Sequence, residues 1–431
     1  MRTYVGAFWR ADQTGERLIR MYNVPLASAG DWTAQVLEYG DFAPGDIVFS
    51  AGLSADGSVW TPSQNTDMND PAVDAVFGVG GIQQVVGGTV AQDGEIFFRV
   101  GLKSKWSTDP NYNSVNKPVR YAVIGVWHND NKKMQRLYIR QGHGADYLMR
   151  PNDPDDNNAA IDNNRSNAKK FISYNLTHPD LKKGAKPGGT NINDHPMVPL
   201  RATLTEAVAP DYFTDYPSQA GAFFMWASTD HPRRAYHPTN PVAGITGWSN
   251  RFPTQFWSNL NITQETCPPG YRRPNDGSSS VNNGAGNVAN SEIRQSLWLN
   301  PLPGDGDPAD ENSNDMWGYY ADGFFDRRLI VSSPTGIPES TVERNTHRAA
   351  YQGQLFFNPY TNASLFFPAA GHRNEDKLTG NLASAGSNGY YWTSSTAWLN
   401  TSGWRLDISF GHARQLFTDR FNGNSIRCVK E

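Results

Sequence analysis

Short runs of β-branched and aromatic residues, each bounded by glycine, proline or aspartate, are the feature that most constrains the fold of this chain. The 431 residues include 40 glycines and 28 prolines, and aromatic side chains make up 12%. Such runs are typical of strands separated by turns, because branched and aromatic side chains suit a pleated surface. In the clearest example a polar turn joins residues 121–127 to residues 134–140, which predicts a hairpin. We therefore predict a mainly β protein whose C-terminal part is α+β.

The length predicts two or three domains. Residues 1–148 carry most of the regular strand-like runs, so we predict a β-sandwich-like stalk domain there. Residues 149–204 are rich in Asn, Asp, Gly and Pro and contain few large apolar residues. This composition predicts a linker or a segment draped over the surface. Aromatic segments return over residues 205–431, which we predict to form the second domain.

One helix is predicted within that second domain. Asn290 or Ser291 can cap it, and Ile293, Leu297 and Trp298 fall on one face. Most of the remaining chain there predicts short strands and long loops.

Composition excludes several classes of partner. The net charge is -4 and charged residues make up 19%, below the roughly 25% usual in soluble proteins, so we expect no nucleic-acid partner. No apolar run is long enough for a membrane-spanning helix, so we expect no membrane span in this chain.

The N-terminal residues lack the charged-then-apolar order of a secretory signal. Either the protein is not exported by that route or the sequence begins after its leader.

The chain has only two cysteines, Cys267 and Cys428. This number excludes a disulfide-dense scaffold and a zinc site made of several cysteines. Two interpretations stay open: one disulfide that joins the ends of a domain, or two buried thiols.

Motifs of enzyme chemistry are missing from the sequence. It contains no phosphate-binding glycine loop, no zinc-protease motif, no serine-hydrolase elbow and no CxxC pair. The nine histidines are scattered singly, a pattern more typical of surface residues than of ligands or bases. The Asp/Asn run at 152–164 lacks the spacing of a calcium loop. We therefore predict no catalytic residue, no metal and no cofactor, and hence no enzyme.

Five short motifs follow one another in the C-terminal third of the chain. They are ETCPPGYRRP (265–274), WGYYADGFFD (317–326), LFFPAAGHR (365–373), GYYWTSS (389–395) and NSIRCVK (424–430). The series resembles the Fibrobacter succinogenes major paralogous domain, common in exported proteins of Bacteroidetes, over about residues 205 to 431. This resemblance implies a C-type-lectin-like fold, distantly similar to formylglycine-generating enzymes. The resemblance also implies that the C-terminal end of the chain pairs with the segment near residues 267–271. A Cys267–Cys428 disulfide is compatible with this arrangement.

The resemblance also indicates which activities to exclude. The formylglycine-generating relatives act through a closely spaced cysteine pair near the C-terminus, and Cys428 has no such neighbour. The sequence triplets by which many C-type lectins hold calcium and sugar are missing as well. Calcium-dependent sugar capture is therefore not expected.

Two segments, 396–405 and 412–424, combine aromatic residues with short polar ones. This combination is typical of recognition surfaces, because rigid aromatics supply contact area and polar groups supply adaptable hydrogen bonds. The arrangement resembles the C-terminal variable region of diversity-generating retroelement target proteins. In that family, mutagenesis varies exposed residues on a C-type-lectin-like scaffold and spares the framework.

This second resemblance assigns roles residue by residue. Framework positions are matched by Tyr391, Trp392, Leu406, Ile408, Gly411, Gly423, Ile426 and Cys428. Variable, ligand-facing positions are matched by Trp398, Asn400, Arg405, Asp407, His412, Arg414, Phe417, Asp419, Phe421 and Asn424. The alternative is that half of the aromatics, especially Trp398 and Phe417, are packed in the core. A register slip of one residue would exchange the two faces of a strand.

The function implied by these resemblances is that of a surface ligand-binding protein. It would be an adhesin or receptor that recognises a protein or glycan on another cell or surface, and the second resemblance implies diversification by a retroelement. Segments 4–20 and 140–150 resemble the region that precedes this domain in Bacteroidetes surface and fimbrial-tip proteins, so we expect an extracellular or cell-surface location. Two alternatives stay open: a phage tail-fibre receptor-binding protein of the virion, and an enzyme related to the formylglycine-generating family.

Overall fold

Antiparallel strands dominate the computed structural model of the protein, which confirms the predicted mainly β class. In the described residues, no helix is long and apolar enough to cross a membrane. The structure describes residues 7–9, 11–12, 14–21, 29–50, 84–92, 96–114, 116–130, 132–142, 145–146, 168–182, 190–214, 219–226, 233–238, 244–248, 265–276, 291–297, 319–324, 329–332, 340–343, 351–358, 363–374, 379–385, 388–397, 402–409 and 413–431.

The chain divides into two units, and the first boundary lies close to the predicted one at residue 148. The first unit comprises Met1–Gly144, Tyr320–Leu329 and Glu343–Gln352. The second comprises Ala145–Tyr319, Ile330–Val342 and Gly353–Glu431. The two later segments of the first unit thus come from the region that we predicted to form one C-terminal domain.

Two sheets make up the N-terminal part of the first unit. Its strands are β1 (Ala7–Trp9), β2 (Gly15–Met21), β3 (Gly30–Glu38), β4 (Ile47–Ser50), β5 (Val85–Val90), β6 (Ile96–Leu102), β7 (Val119–His128) and β8 (Lys133–Gly142). The first sheet has the order β1-β8-β7-β3-β5 and the second the order β2-β6-β4. Trp32 of the first sheet stacks on Phe98 of the second, with ring centres 5.7 Å apart. Two sheets that pack face to face around buried aromatics form a β-sandwich.

The predicted hairpin is strands β7 and β8. Trp127 pairs with Met134 and Tyr121 pairs with Arg140 in an antiparallel register. At the turn, Asn129 and Asp130 adopt positive φ values of 55° and 51°. These two residue types tolerate the left-handed conformation better than most, which explains the polar turn in the sequence.

Most of the later strands are short. In chain order they are β9 (Ala145–Asp146), β10 (Phe171–Ile172), β11 (Phe224–Met225), β12 (Tyr271–Arg272), β13 (Tyr319–Phe324), β14 (Leu329–Ser332), β15 (Ser340–Glu343), β16 (Tyr351–Asn358), β17 (Ala363–Pro368), β18 (His372–Asn374), β19 (Asn381–Ala383), β20 (Asn388–Ala397), β21 (Ser402–Ser409), β22 (Ala413–Asp419), β23 (Gly423–Asn424) and β24 (Val429–Lys430). Among the described residues, the α-helices are α1 (Pro179–Lys182) and α2 (Glu292–Leu297), and 3-10 turns cover Trp106–Thr108, Ile192–Asp194, Arg201–Thr203 and Glu206–Tyr212.

Helix α2 confirms the predicted helix. Ser291 is its cap: the Ser291 Oγ accepts a hydrogen bond from the Arg294 backbone N–H (3.1 Å) and donates one to Asp276 Oδ1 (3.1 Å). All six residues of the helix are buried. Trp298 and Asn290, also part of that prediction, lie outside the described residues.

The end of the chain is the centre of a sheet in the second unit. Strand β24 pairs with β12 on one side and with β10 on the other, in the sheet order β12-β24-β10-β9. This confirms the prediction that the chain end pairs back near residues 267–271. Beside this pairing, Cys267 and Cys428 form a disulfide, and both are fully buried.

The predicted linker at 149–204 is wrong for its described parts, which belong to the core of the second unit. Residues of β10 pair with β24, and the Leu176 backbone N–H donates to the carbonyl of Ile426 (2.9 Å). Ile172, Leu176 and Val198 are buried in one apolar cluster. Isolated bridges and single turns satisfy the backbone here, so a segment without periodic apolar residues can still be buried.

Candidate functional site

Three of the longer strands of the second unit, β20, β21 and β22, form one antiparallel sheet in that order. Strand β21 lies in the centre, and β22 is the outer strand of this sheet. The other edge of β20 is hydrogen-bonded to a segment near the C-terminus of the chain. The Trp392 N–H donates to the Ser425 carbonyl, and the Ser425 N–H donates to the Tyr390 carbonyl (both 2.9 Å). Most of the residues that the sequence assigns to ligand contact lie on β21, on β22 and in the turn after β22.

The framework residues of that assignment lie in the interior. Tyr391, Leu406 and Ile408 belong to one buried cluster. Gln415, which lies on the same face of the sheet, is also fully buried. Trp392, Ile426 and Cys428 belong to a second buried cluster. Gly423 is buried as well, and Gly411 lies outside the described residues.

Trp392 lies on the other side of the sheet from Tyr391, and its indole N–H donates to the Phe224 carbonyl (2.7 Å). Its ring centre is 6.1 Å from that of Trp226. Trp226 lies so close to Gly403 that a Cβ on this glycine would fall 2.0 Å from Cδ1 of the indole. One end of this face is therefore closed by aromatic packing, and the sequence pattern alone did not reveal the role of Trp226.

Arg427, in the final motif, also has a structural role. Its Nε donates to Asn175 Oδ1 (2.8 Å), and its Nη2 donates to the Phe366 carbonyl (2.8 Å). The guanidinium lies 4.6 Å from the ring centre of Phe367. This fully buried side chain thus ties the chain end to two other segments of the second unit.

Three of the predicted ligand-facing residues, Arg405, Asp407 and Arg414, come together at the other end of that face; we call them the arginine cluster. Asp407 and Arg414 are directly opposed in the register of β21 and β22. The Nη2 atoms of Arg405 and Arg414 lie 3.7 and 3.8 Å from the same atom, Oδ2 of Asp407. The cluster therefore holds two positive charges and one negative charge.

Side-chain exposure rises across the arginine cluster from Asp407 (5%) through Arg405 (13%) to Arg414 (33%). The carboxylate thus lies at the base and Arg414 at the rim. Because Asp407 is buried, it can orient the two guanidinium groups but offers little surface to a ligand. Its position therefore differs from the ligand-facing one that the sequence assigned to it.

Two neutral rings adjoin the arginine cluster. The guanidinium of Arg405 lies 4.1 Å from the ring centre of Tyr390, and the His372 ring lies edge-on to Tyr390 at 4.5 Å. Burial and the nearby charge of Arg405 lower the pKa of His372 to about 3, and Asp407 partly opposes this shift. Burial also raises the pKa of the Tyr390 phenol. Neither ring adds charge to the cluster at neutral pH.

His372 and Tyr390 were missed as members of the site. Tyr390 follows directly from the register, because it opposes Asp407 across β20 and β21. His372 belongs to β18 in a different sheet. No local spacing in the sequence indicates its position beside the arginine cluster.

The remaining predicted residues are divided between surface and interior. Phe417 is 41% exposed, and its ring lies edge-on to that of Trp404 at 5.7 Å, so Phe417 is not packed in the core. Asp419 is exposed and Phe421 is half-buried. Phe417 and Asp419 lie on the face of β22 opposite to Arg414, because odd and even positions of a strand alternate.

Asn424 requires a correction. It is fully buried in β23, which lies between β11 and β18, so the structure does not support a ligand-facing position for it. The other three residues of the assignment, Trp398, Asn400 and His412, lie outside the described residues.

No group of three or more histidine, cysteine, aspartate or glutamate side chains that could hold a metal ion occurs in the described part of the chain.

Neither a protein-family model nor a curated protein sequence matches the chain. One similar solved structure is a family 123 glycoside hydrolase from Clostridium perfringens, described for glycolipid glycan hydrolysis. It has 8% identity and a TM-score of 0.20, and the match covers 33% of this chain but only 23% of the hydrolase chain. Another is a PapD-like domain of human CEP192, with 6% identity and a TM-score of 0.15, covering 33% of this chain and 80% of that domain. These weak likenesses assign no family.

Proposed function

We propose that the protein is a ligand-binding protein of the cell surface, an adhesin or receptor, whose recognition surface is the outer part of the sheet β20 to β22. The observation that carries the proposal is the outer strand β22. It is anchored by the buried residues Ala413 and Gln415, and it presents Arg414, Phe417 and Asp419 to solvent. This edge strand displays Phe417 and Asp419 on one face and Arg414 on the other, and such a set combines contact area with directional polar groups.

The buried disulfide supports the proposed location outside the cell. Disulfides persist in oxidising compartments and are rare in the cytosol. The C-type-lectin-like architecture and the diversification of the exposed residues by a retroelement belong to the same proposal, and both rest on the sequence resemblance.

A triple variant tests the recognition surface. We expect the whole protein to bind a small set of ligands on a glycan array or on an array of extracellular protein domains. Replacing Arg414, Phe417 and Asp419 together by serine is expected to weaken this binding about tenfold or more, because exposed aromatic and arginine anchors dominate recognition.

The matched control replaces three exposed residues elsewhere in the second unit, Asp180, Leu200 and Lys430, by serine. Like the triple variant, the control removes one basic, one apolar and one acidic side chain. We expect its binding to lie within about twofold of the wild type. If the triple variant binds as the wild type does, or the wild type binds nothing on either array, the proposal is wrong.

A further inference from the structure

We infer that the arginine cluster binds the carboxylate of an acidic sugar between Arg405 and Arg414. The inference deepens the proposed function and rests on it, since it names the chemistry of the ligand for the same sheet. It concerns the face of β21 and β22 that carries Asp407, not the opposite face that carries Phe417.

Charge is the first argument. The two guanidinium groups of Arg405 and Arg414 share one carboxylate, that of Asp407. Tyr390 and His372, which adjoin them, are neutral rings. In the described residues the cluster thus keeps one positive charge in excess, partly shielded from solvent, and such a charge favours an anionic partner.

Unused hydrogen-bond donors are the second argument. The Nη2 atoms of both arginines lie 3.7 and 3.8 Å from Asp407 Oδ2, farther than a direct hydrogen bond requires. Among the described residues, the Nε atoms of Arg405 and Arg414 are buried and have no hydrogen-bond partner. A guanidinium presents five donors in a planar fork that matches a carboxylate. Each arginine therefore retains donors for a second carboxylate.

The surroundings favour a sugar over a protein as the bearer of that carboxylate. Interfaces between proteins bury an apolar centre. The large apolar residues that the structure exposes in its described part are Leu37, Val85, Met134, Leu200 and Phe417. None of them lies on this face of β21 and β22, and Arg405 and Arg414 are only 13% and 33% exposed. A recessed charge beside the Tyr390 and His372 rings suits one acidic sugar ring better than the broad contact of a protein surface.

Titration calorimetry with paired probes tests the inference. The probes are 3′-sialyllactose beside lactose, and trigalacturonate beside its methyl ester, in which the carboxylates are neutralised with little change of shape. We expect the whole protein to bind at least one acidic member about tenfold or more tightly than its neutral counterpart. Replacing Arg414 by glutamine should remove most of this preference, because a hydrogen bond to a charged group is lost.

The control is Arg136→Gln in the first unit, where an arginine of similar exposure (37%) pairs with Glu38. It should leave the preference unchanged, and thermal unfolding of Arg414→Gln should show an intact fold. Equal binding of acidic and neutral probes, or an Arg414→Gln variant that keeps the preference, would overturn this inference but not the proposed function.

Two further outcomes separate the alternatives. Binding of pentaglutamate peptide with the same dependence on Arg414, without binding of either acidic sugar, would overturn the sugar in favour of an acidic peptide. Absence of binding to every probe would overturn the inference, whereas the proposed function would still be decided by the two arrays and the triple variant.

Discussion

Replacing Cys267 and Cys428 by alanine is expected to lower the free energy of unfolding of the second unit by about 5 kcal/mol. The disulfide joins residues 161 positions apart. Opening so long a loop restores much conformational freedom to the unfolded chain, and the stabilisation grows with the logarithm of loop length. Both sulfur atoms also lie in the apolar cluster that contains Trp392 and Ile426, so alanine leaves unfilled space there.

Urea unfolding followed by hydrogen exchange of individual peptides measures this effect in each unit. Peptides from 265–276 and 423–431 should lose protection at clearly lower urea in the double alanine variant. The first unit is an internal control, because both cysteines belong to the second. A reducing agent should reproduce the shift in the wild type and leave the variant unchanged. Equal urea midpoints for the variant and the oxidised wild type would contradict the prediction.

The second unit is also expected to lose stability on acidification, because it buries neutral histidine. His195 is 1% exposed, and its ring lies 5.2 Å from that of Tyr236. Burial, together with the nearby charges of Arg373 and Arg234, lowers the pKa of His195 to about 4, and Asp194 partly opposes this shift. The group is neutral in both folded and unfolded chains at pH 7. Below its ordinary pKa of about 6.5, only the unfolded chain gains the proton.

Stability therefore falls as the pH drops from about 6.5 towards 4. For His195 alone this amounts to about 2 kcal/mol between pH 7 and pH 4.5. His372, whose pKa is lowered to about 3, acts in the same direction over the same interval.

The measurement is the free energy of unfolding of the second unit at several pH values, for the wild type and for His195→Gln. Between pH 7 and pH 4.5 the variant should lose about 2 kcal/mol less than the wild type, because it lacks the titrating group. Parallel pH profiles for the two proteins would show that His195 does not contribute.

Regular elements were predictable from sequence because their patterns are local. The hairpin of β7 and β8 has a polar turn, and α2 has a serine cap followed by apolar residues at helical spacing. The described parts of 149–204 were misjudged for the opposite reason. They reach the core through side-chain contacts, isolated bridges and 3-10 turns, none of which requires a periodic apolar pattern.

The candidate site was predictable only in part. Arg405 and Asp407 are two positions apart on one strand, so a shared face followed from the sequence. The same alternation places Phe417 on the face opposite to Arg414, three positions away, and the list derived from resemblance did not separate these faces. The burial of Asn424 depends on β11 and β18, which are distant in sequence and flank it in the sheet.

Hydrogen exchange of the whole protein, with and without the tightest ligand from the two arrays, locates the recognition surface most directly. Bound ligand is expected to slow exchange in peptides covering 402–409 and 413–419, and to leave peptides of the β-sandwich unchanged. Protection confined to residues 1–144, or none in β21 and β22, would contradict the assignment of recognition to the sheet that carries Arg414 and Phe417.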